Sequence, residues 1–486
     1  MPPQLTSPIK TIQGVRIPGQ SNSQAICDIT ISYPPESPEG TIAAITPHGD
    51  PNPSSTQDIT QFPLIVPTLT HPHIHLDKAF IHSAHRYAHL RPSAGSFQEA
   101  LSFTTQAKEQ FTKPDLRKRG EWLLAESLAS GVAAMRAFVE VDHTVKLNCL
   151  ETGLQLKDEW KDSCQIQVVS FAQDPIFSGE YADENKRLME SAVRDYPQTD
   201  VIGTTPYVES SVEAAKRNID WTIEFALEND KHVDFHLDYN LDKSKDAMVW
   251  HVLHKLNQKG WTAQSSNKRV MLGHCTRLTL FADQEWSRLA QEIHENDLPV
   301  SFVGLPTSDL YMASPPNRSE DENVPPHERS RGTLQIPHMI RKHDLDAVIG
   351  VNNVGNAFTP WGSPDPLSLA CLGVGIYQAG TQADAELLYE CVSTRARAAI
   401  GLSNTNQLGS SLEVKEGSCP DFLLIYNVDE TGCQAPRARE SVAEVVWDPS
   451  TKLTRDVVSS GRLMLKPMAE QRASSSPRTV MLHEAE

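Results

Sequence analysis

The chain has 486 residues, of which 39% are hydrophobic and 22% are charged, and its formal net charge is −18 at pH 7. This is the composition of a globular protein that is long enough to bury a large core. The negative charge argues against nucleic acid or an anionic membrane as the main partner, because neither would be attracted to it.

The sequence carries no sign of export or of a membrane anchor. No apolar run approaches the roughly 20 residues that cross a bilayer, and the N-terminus has no basic region followed by an apolar core. The eight cysteines are scattered and form no C-x-x-C pair. In a chain of this length such cysteines indicate free thiols in a reducing compartment, so we expect a cytoplasmic protein without a membrane partner.

The two ends of the chain have strand character. Residues 1–63 contain short strand-like runs at 25–31 and 40–45, and prolines interrupt them. Similar runs return at 443–447 and 455–463. We predict that segments 1–63 and 403–466 form one small β-sandwich, and that the polar residues 467–486 form a flexible tail.

The middle of the chain alternates between apolar strand-like runs and amphipathic helix patterns. Roughly eight strand-helix units fit between residues 64 and 402, which predicts a (β/α)8 barrel, or TIM barrel. The expected fold is therefore α/β, with the barrel inserted between the two halves of the β-sandwich. The stretch 307–331 is rich in proline, serine and charge and is long enough to be a lid or a binding loop.

The first strand of this barrel ends in a His-Ile-His sequence. Residues two apart on a strand point to the same side, so His73 and His75 can aim their rings at one point. Two converging imidazoles suit a divalent metal such as zinc or iron. The plain alternative is a pair of buried histidines that bond to backbone carbonyls.

Polar side chains also stand at the ends of later strand-like runs. They are Gln173, His236, His274, Asn352 and Asn353. The C-terminal ends of the strands of a barrel meet on one face, which is where active sites of this fold lie. The pattern as a whole therefore predicts a metal site on that face.

The motifs at these strand ends resemble those of the amidohydrolase superfamily, in its cytosine deaminase-like branch. They are PHIHLDKAF (72–80), FAQ (171–173), FHLD (235–238), GHCT (273–276), LPTSDLY (305–311), GVNNV (350–354) and PWG (360–362). The likeness spans nearly the whole chain, including the split β-sandwich.

The resemblance implies a hydrolase with one zinc or iron ion that acts on a C–N bond of a small cyclic or amidine-like molecule, by deamination or ring opening. It implies that His73, His75 and His236 bind the metal. His274, Asn352 and Asp238 would be the catalytic residues, and Gln173, Tyr239, Asn353 and Lys78 would bind the substrate. The expected partner is this small molecule, and a homo-oligomer is left open.

The sequence departs from the family pattern at three positions. Asn352 stands where the family has an aspartate that binds the metal and takes a proton from water, and Tyr239 stands where a glutamate is usual. Phe138, a lesser departure, replaces a histidine. An amide cannot act as a general base, and a neutral phenol is a poor proton shuttle.

Several explanations of these departures are open. Asp238, Asp309 or Asp365 could supply the carboxylate, or His274, Asp238 or Lys78 could handle protons in altered chemistry. The chain could instead be an inactive, ligand-binding member, or a lyase or isomerase that uses the metal as a Lewis acid. For Lys78 the plain alternative is a surface or ion-paired residue next to Asp77.

Overall fold

The computed structural model describes residues 1–18, 26–34, 40–49, 61–313, 331–402, 412–435 and 437–464, and the backbone of 482–484. In these residues two eight-stranded sheets form. The strands are β1 (Ile9–Arg16), β2 (Ile26–Ser32), β3 (Thr41–Pro47), β4 (Leu64–Pro67), β5 (Leu69–His75), β6 (Val132–Glu140), β7 (Gln165–Ala172), β8 (Val201–Thr204), β9 (His232–Leu237), β10 (Val270–His274), β11 (Val300–Gly304), β12 (Ala347–Ile349), β13 (Phe422–Ile425), β14 (Arg455–Ser459), β15 (Arg462–Leu463) and β16 (Leu482–Glu484).

Most of the helices lie between the barrel strands in the sequence. They are α1 (Phe97–Lys108), α2 (Lys113–Ser130), α3 (Asn148–Trp160), α4 (Ala182–Arg194), α5 (Val212–Asn229), α6 (Val249–Lys259), α7 (Asp283–Glu295), α8 (Pro306–Met312), α9 (Ile336–His343), α10 (Pro366–Ile376), α11 (Gln382–Cys391), α12 (Thr394–Ala399) and α13 (Val442–Trp447). None of the helices within the described ranges is both long enough and apolar enough to span a bilayer.

The strands β5 to β12 form the barrel. They lie side by side in chain order, and each pair along the sheet is parallel. A parallel bridge between Ile74 and Asn352 joins the first strand to the end of the last. The backbone N–H of His75 donates to the carbonyl of Asn352 at 2.8 Å, and the N–H of Asn352 donates to the carbonyl of His73 at 3.1 Å. The predicted (β/α)8 barrel is therefore confirmed.

The second sheet combines the two ends of the chain, in the order β15-β14-β13-β4-β1-β2-β3. Its strand β4 pairs antiparallel with β13 and parallel with β1, which brings the N-terminal and C-terminal segments into one β-sandwich-like unit, as predicted. The predicted boundaries assigned residues 64–67 to the barrel, whereas these residues form β4 of the terminal sheet. The backbone of Leu482–Glu484, within the predicted tail, pairs with β1.

Two local predictions differ from the structure. The run 443–447 was expected to be a strand, but it lies in helix α13, which begins with a capping box between Ser441 and Glu444. The predicted loop 307–331 begins with the short helix α8, and residues 314–330 of it lie outside the described residues.

Gly131 shows how the barrel and the terminal sheet fit together. It ends helix α2 with a φ of 105°, a left-handed conformation that favours glycine. A Cβ atom at this position would lie 2.5 Å from a methyl carbon of Leu423 on β13. Real carbon atoms do not approach so closely, so the contact between α2 and β13 requires a residue without a side chain.

We predict that Gly131→Ala lowers the free energy of unfolding by about 1–3 kcal/mol more than Gly260→Ala does, because only the first methyl group displaces Leu423. Gly260 ends helix α6 with a positive φ of 64°, and nothing lies within 4 Å of a Cβ built there. Urea unfolding of the two variants measures the difference. Equal losses would mean that the α2–β13 contact is loosely packed.

Candidate active site

A bulge in strand β5 orients the His-x-His pair. The register of β5 against β6 shifts between His71 and Ile74, at Pro72, which has no N–H to donate to a neighbouring strand. His71 lies on the outer side, where its Nε2 atom is 3.1 Å from Ser127 Oγ on helix α2. His73 and His75 both face the interior, and their ring centroids are 5.6 Å apart.

His236 at the end of β9 joins these two rings in a buried cluster. One ring nitrogen of each of the three histidines lies within 4.8 Å of the others. The Nε2 atoms of His75 and His236 are 3.2 Å apart. Two nitrogen ligands of a tetrahedral zinc ion, each about 2.0–2.1 Å from it, lie roughly 3.3 Å apart, so this spacing fits one shared ion.

The burial and the neutral state of the three rings also fit a metal site. Among the described residues, both nitrogens of His73 and the Nδ1 atoms of His75 and His236 are buried without a hydrogen-bond partner. Burial lowers the pKa of His75 and of His236 well below the usual value, and neighbouring positive groups add to this. The rings are therefore neutral, which is the form that binds metals. These residues could hold a metal ion.

Asp234, two residues before His236 on β9, lies deeper in the barrel below His73. Its Oδ1 atom is 3.6 Å from Nδ1 of His73, and its Oδ2 atom accepts a hydrogen bond of 3.2 Å from the buried Arg136. Burial lowers the pKa of His73, and the facing carboxylate opposes this effect. A carboxylate at Nδ1 favours the tautomer that leaves Nε2 free for a metal.

Asn352 stands beside the three histidines, where the family pattern has an aspartate. Its amide nitrogen donates to Ser308 Oγ at 2.8 Å, which fixes the orientation of the amide group. Its Oδ1 atom is buried and has no hydrogen-bond partner among the described residues. The φ of Asn352 is +66°, an uncommon conformation for a residue other than glycine.

His274 at the end of β10 forms a pair with Asp309 of helix α8. Nδ1 of His274 is 2.8 Å from Oδ1 of Asp309, and both residues are buried. The second carboxylate oxygen accepts hydrogen bonds from the backbone of Leu305 at 3.1 Å and from the hydroxyl of Thr333 at 2.9 Å. This arrangement holds the ring in place and leaves Nε2 as its free nitrogen. Asp309 is thus adjacent to His274 and does not line the cavity itself.

Lys78 is buried at the side of the site, and its partner is not Asp77. Its Nζ atom lies 2.7 Å from Oε1 of Glu140 and donates to Oε1 of Gln173 at 3.4 Å. The Asp77 carboxylate instead accepts from the backbone N–H of Glu140 at 2.7 Å. Lys78 is thus ion-paired, as the alternative considered from the sequence expected, but with Glu140 and not with the adjacent Asp77.

These groups enclose one cavity, which we call the site cavity. Its lining combines polar and aromatic side chains: His75, Lys78, Phe97, Gln173, Tyr207, His236, Tyr239, His274, Ser308, Met312, Asn352, Asn353 and Phe358. The ring of Tyr239 lies on that of His274, with centroids 4.3 Å apart, and burial raises the pKa of Tyr239 well above its usual value. Tyr239 is therefore a neutral wall residue at ordinary pH.

Sequence reasoning missed Tyr207 as a member of this cavity. It follows strand β8, one of the barrel strands for which we proposed no site residue at the C-terminal end. Burial raises its pKa, and a hydrogen bond with Gln173 opposes this effect. The position after a barrel strand was a signal that could have identified it.

The structure does not bring Asp238 or Asp365 into the site cavity. Both oxygens of Asp238 accept backbone N–H bonds at the start of helix α6, at 2.8 and 3.0 Å. Burial raises the pKa of this carboxyl to about 6. Asp365 begins helix α10 and lies 3.0 Å from Arg455. Both carboxylates therefore cap helices.

A second group of potential metal ligands lies near the site, at Asp142, His143 and Asp174. The ammonium of Lys108 lies 2.5 Å from Asp142 and 3.3 Å from Asp174, so a cation already neutralises this group. Phe138, which replaces a family histidine, packs against His73 with ring centroids 4.1 Å apart. Its apolar ring adds no ligand to the three-histidine cluster.

No protein-family model matches the chain. Among curated proteins, N-isopropylammelide isopropyl amidohydrolase from Pseudomonas sp. (strain ADP) is 28% identical over 118 residues, which is 24% of this chain and 28% of the length of that protein. The match therefore spans little more than a quarter of this curated relative.

Solved structures share the fold over nearly the whole chain. 5-Methylcytosine deaminase from Klebsiella pneumoniae, liganded with 5-fluorocytosine, is 20% identical with a TM-score of 0.73, over 94% of this chain and 97% of that one. N-isopropylammelide isopropylaminohydrolase from Burkholderia multivorans is 20% identical with a TM-score of 0.68, over 94% and 98%. The chain has the amidohydrolase fold. The resemblance found in the sequence is thus confirmed at the level of the fold.

A further structure with the amidohydrolase fold contains a metal. Atrazine chlorohydrolase from Arthrobacter aurescens, complexed with zinc, is 14% identical with a TM-score of 0.61, over 97% of each chain. The three-histidine cluster of the present chain is the group of side chains that could hold such an ion.

We predict that His73→Ala combined with His75→Ala reduces the bound metal from about one ion per chain to less than roughly a tenth, because two of three imidazole ligands are lost. Elemental analysis of the purified proteins measures this. His71→Gln is the matched control, since His71 lies on the same strand but faces α2. Full metal content in the double variant would refute the site.

Proposed function

We propose that this chain is a metal-dependent hydrolase that breaks a non-peptide C–N bond of a small cyclic or amidine-like molecule, by deamination or ring opening. The observation that carries the proposal is the cluster of neutral imidazoles of His73, His75 and His236 at the C-terminal face of the barrel. We propose one zinc or iron ion at this cluster. When bound, such an ion would lower the pKa of a coordinated water and supply a nucleophile near neutral pH.

His274 and Asp309 are the proposed proton-handling pair. The Asp309 carboxylate accepts the Nδ1 proton of His274, so Nε2 can accept or donate a proton at the reacting atoms. Hydrolases with a catalytic His-Asp pair use the same arrangement, in which the carboxylate fixes the tautomer of the histidine. In this chain the pair would take over the proton transfers for which Asn352 and Tyr239 are unsuited.

The side chains around the cavity would position a ring. Gln173 and Asn353 carry amides that can bond to ring oxygens and nitrogens, and the hydroxyl of Tyr207 lies beside Gln173. The rings of Phe97 and Phe358 pack against each other, with centroids 5.9 Å apart and an angle of 60° between the ring planes, and they add apolar surface to the cavity. A cavity that combines apolar surface with a few polar groups suits a small heterocycle.

A second candidate function is binding without hydrolysis, and one observation favours it. Among the described residues no aspartate or glutamate lines the site cavity, so the usual carboxylate base is missing. A metal-assisted lyase or isomerase would not need a base to activate an attacking water. These alternatives differ from hydrolysis in their products.

We predict that the metal-loaded protein releases ammonia or an amine from pyrimidine or triazine bases, and that chelation lowers the rate by about 100-fold or more. Ammonia assays before chelation, after chelation and after return of zinc or iron measure this. Full metal content without any turnover would support the binding alternative, and a product formed without the addition of water would support a lyase or an isomerase.

We predict that Asn352→Asp raises metal affinity by roughly tenfold, because an anionic ligand replaces a neutral amide oxygen beside the histidines. Competition with a metal-binding dye measures the affinity, and the hydrolytic rate is followed in parallel. Asn353→Asp is the matched control, since the oxygen of Asn353 already accepts a bond of 2.8 Å from Asn356. An unchanged affinity in Asn352→Asp would mean that residue 352 does not face the metal.

A further inference from the structure

The backbone of Asn352 is fixed on both sides, so rotation of its amide group is the main freedom that the residue keeps. Its N–H donates to the carbonyl of His73 at 3.1 Å, and its carbonyl accepts from the N–H of His75 at 2.8 Å. An amide that turns by half a circle exchanges its oxygen and its NH2 group while it occupies nearly the same space. Whether the histidine cluster faces an acceptor or a donor at this position therefore depends on what holds the amide.

Two hydroxyl groups, which we call the hydroxyl pair, hold the amide. The NH2 group of Asn352 donates to Oγ of Ser308 at 2.8 Å, and this Oγ atom lies 2.5 Å from Oγ1 of Thr359. All three residues are at most 2% exposed, so water has little access to these bonds. Backbone bonds fix the pair, because the N–H of Ser308 donates to Leu305 at 3.0 Å and the N–H of Thr359 donates to Asn356 at 3.2 Å.

The amide oxygen of Asn352 is left without a partner. Its Oδ1 atom is buried and accepts no hydrogen bond from the described residues. A buried polar atom without a partner costs about 1–3 kcal/mol, so native proteins rarely keep one that a ligand does not complete. Asn352 lines the same cavity as His75 and His236, so an ion held by the histidine cluster is a ligand that would complete this oxygen.

The opposite orientation of the amide would work against a metal ion. Its NH2 group would then face the cluster and could donate to the lone pairs of the neutral imidazoles, which are the atoms that bind a metal. Ser308 alone does not decide between the two orientations, because a hydroxyl group can accept from the NH2 group or donate to the oxygen. The contact with Thr359 offers another acceptor to the hydroxyl hydrogen of Ser308 and leaves the lone pairs of Ser308 for the amide.

We infer that Ser308 and Thr359 are positioning residues for the metal centre. Ser308 directs its hydroxyl hydrogen to Thr359 and receives the amide hydrogen of Asn352 on its lone pairs. The amide oxygen is thereby held toward the three histidines, and an ion bound there meets a neutral oxygen as a further ligand. The inference rests on the proposed function, because it concerns the metal ion of the same site.

The zinc affinity of the full-length protein, measured by competition with a metal-binding dye, tests the inference in two backgrounds. In the wild-type background Ser308→Ala should weaken zinc binding by about three- to tenfold, the effect of one hydrogen bond, because the amide becomes free to turn. In the Asn352→Asp background the same substitution should weaken it by less than about twofold, because a carboxylate presents an oxygen in either orientation. This double-mutant cycle separates the orientation of the amide from a general role of Ser308 in packing.

Thr359→Val keeps the shape of the residue but removes the acceptor, so it should also weaken zinc binding in the wild-type background. It tests the hydroxyl pair from its other end if Ser308→Ala does not fold. Thr204→Val is the matched control, since Oγ1 of Thr204 lies 3.2 Å from Oγ1 of Thr222 in another buried pair of hydroxyl groups that does not line the site cavity. Its zinc affinity should stay within about twofold of the wild type.

Unchanged zinc affinity in Ser308→Ala and Thr359→Val would overturn the inference. Equal losses for Ser308→Ala in the two backgrounds would also overturn it, and so would a loss of the same size in Thr204→Val. The affinity is measured without turnover, so a protein that meets these expectations but releases no ammonia refutes the proposed function and not this inference. Ammonia release together with equal zinc affinities in all variants refutes this inference and leaves the proposed function standing.

Discussion

The hydrogen bonds that close the barrel are made by the residues that form the site. The backbones of His73 and His75 pair with that of Asn352, so the first and last barrel strands are joined at the level of the histidine cluster. The positions of these three side chains are consequently fixed by the fold and not by a mobile loop. A site built on paired strands can hold ligand atoms with the precision that metal binding requires.

The side chains at this fixed centre are neutral, and the charged side chains lie around it. Neutral imidazoles and one amide lie at the centre, and the nearest carboxylates are each bonded to a basic group. Asp309 bonds to His274, and Glu140 bonds to Lys78 and Lys108. Such pairing is what makes buried carboxylates tolerable, since an unpaired charge away from water is costly. Among the described residues, the cavity lining therefore contains no carboxylate and includes the ion-paired ammonium of Lys78.

Much of the fold and of the site could be predicted from the sequence, because both depend on short-range patterns. The alternation of strand-like and helix-like runs predicted the barrel. The polar residues at the ends of the strand-like runs predicted the histidines, Gln173 and Asn352 as site residues. What failed depends on contacts between distant segments. The partner of Lys78 is Glu140 and not the adjacent Asp77, and the Asp238 carboxylate caps α6. The cytoplasmic location and the metal identity stay predictions.

The measurement that tests the central claim most directly is anomalous diffraction at the zinc and iron absorption edges, on crystals of the purified protein. The account predicts one strong peak, about 2.0–2.1 Å from a ring nitrogen of each of His73, His75 and His236. A peak elsewhere, for example at Asp142 and Asp174, would contradict it. So would metal-supplemented crystals without any peak at the three histidines.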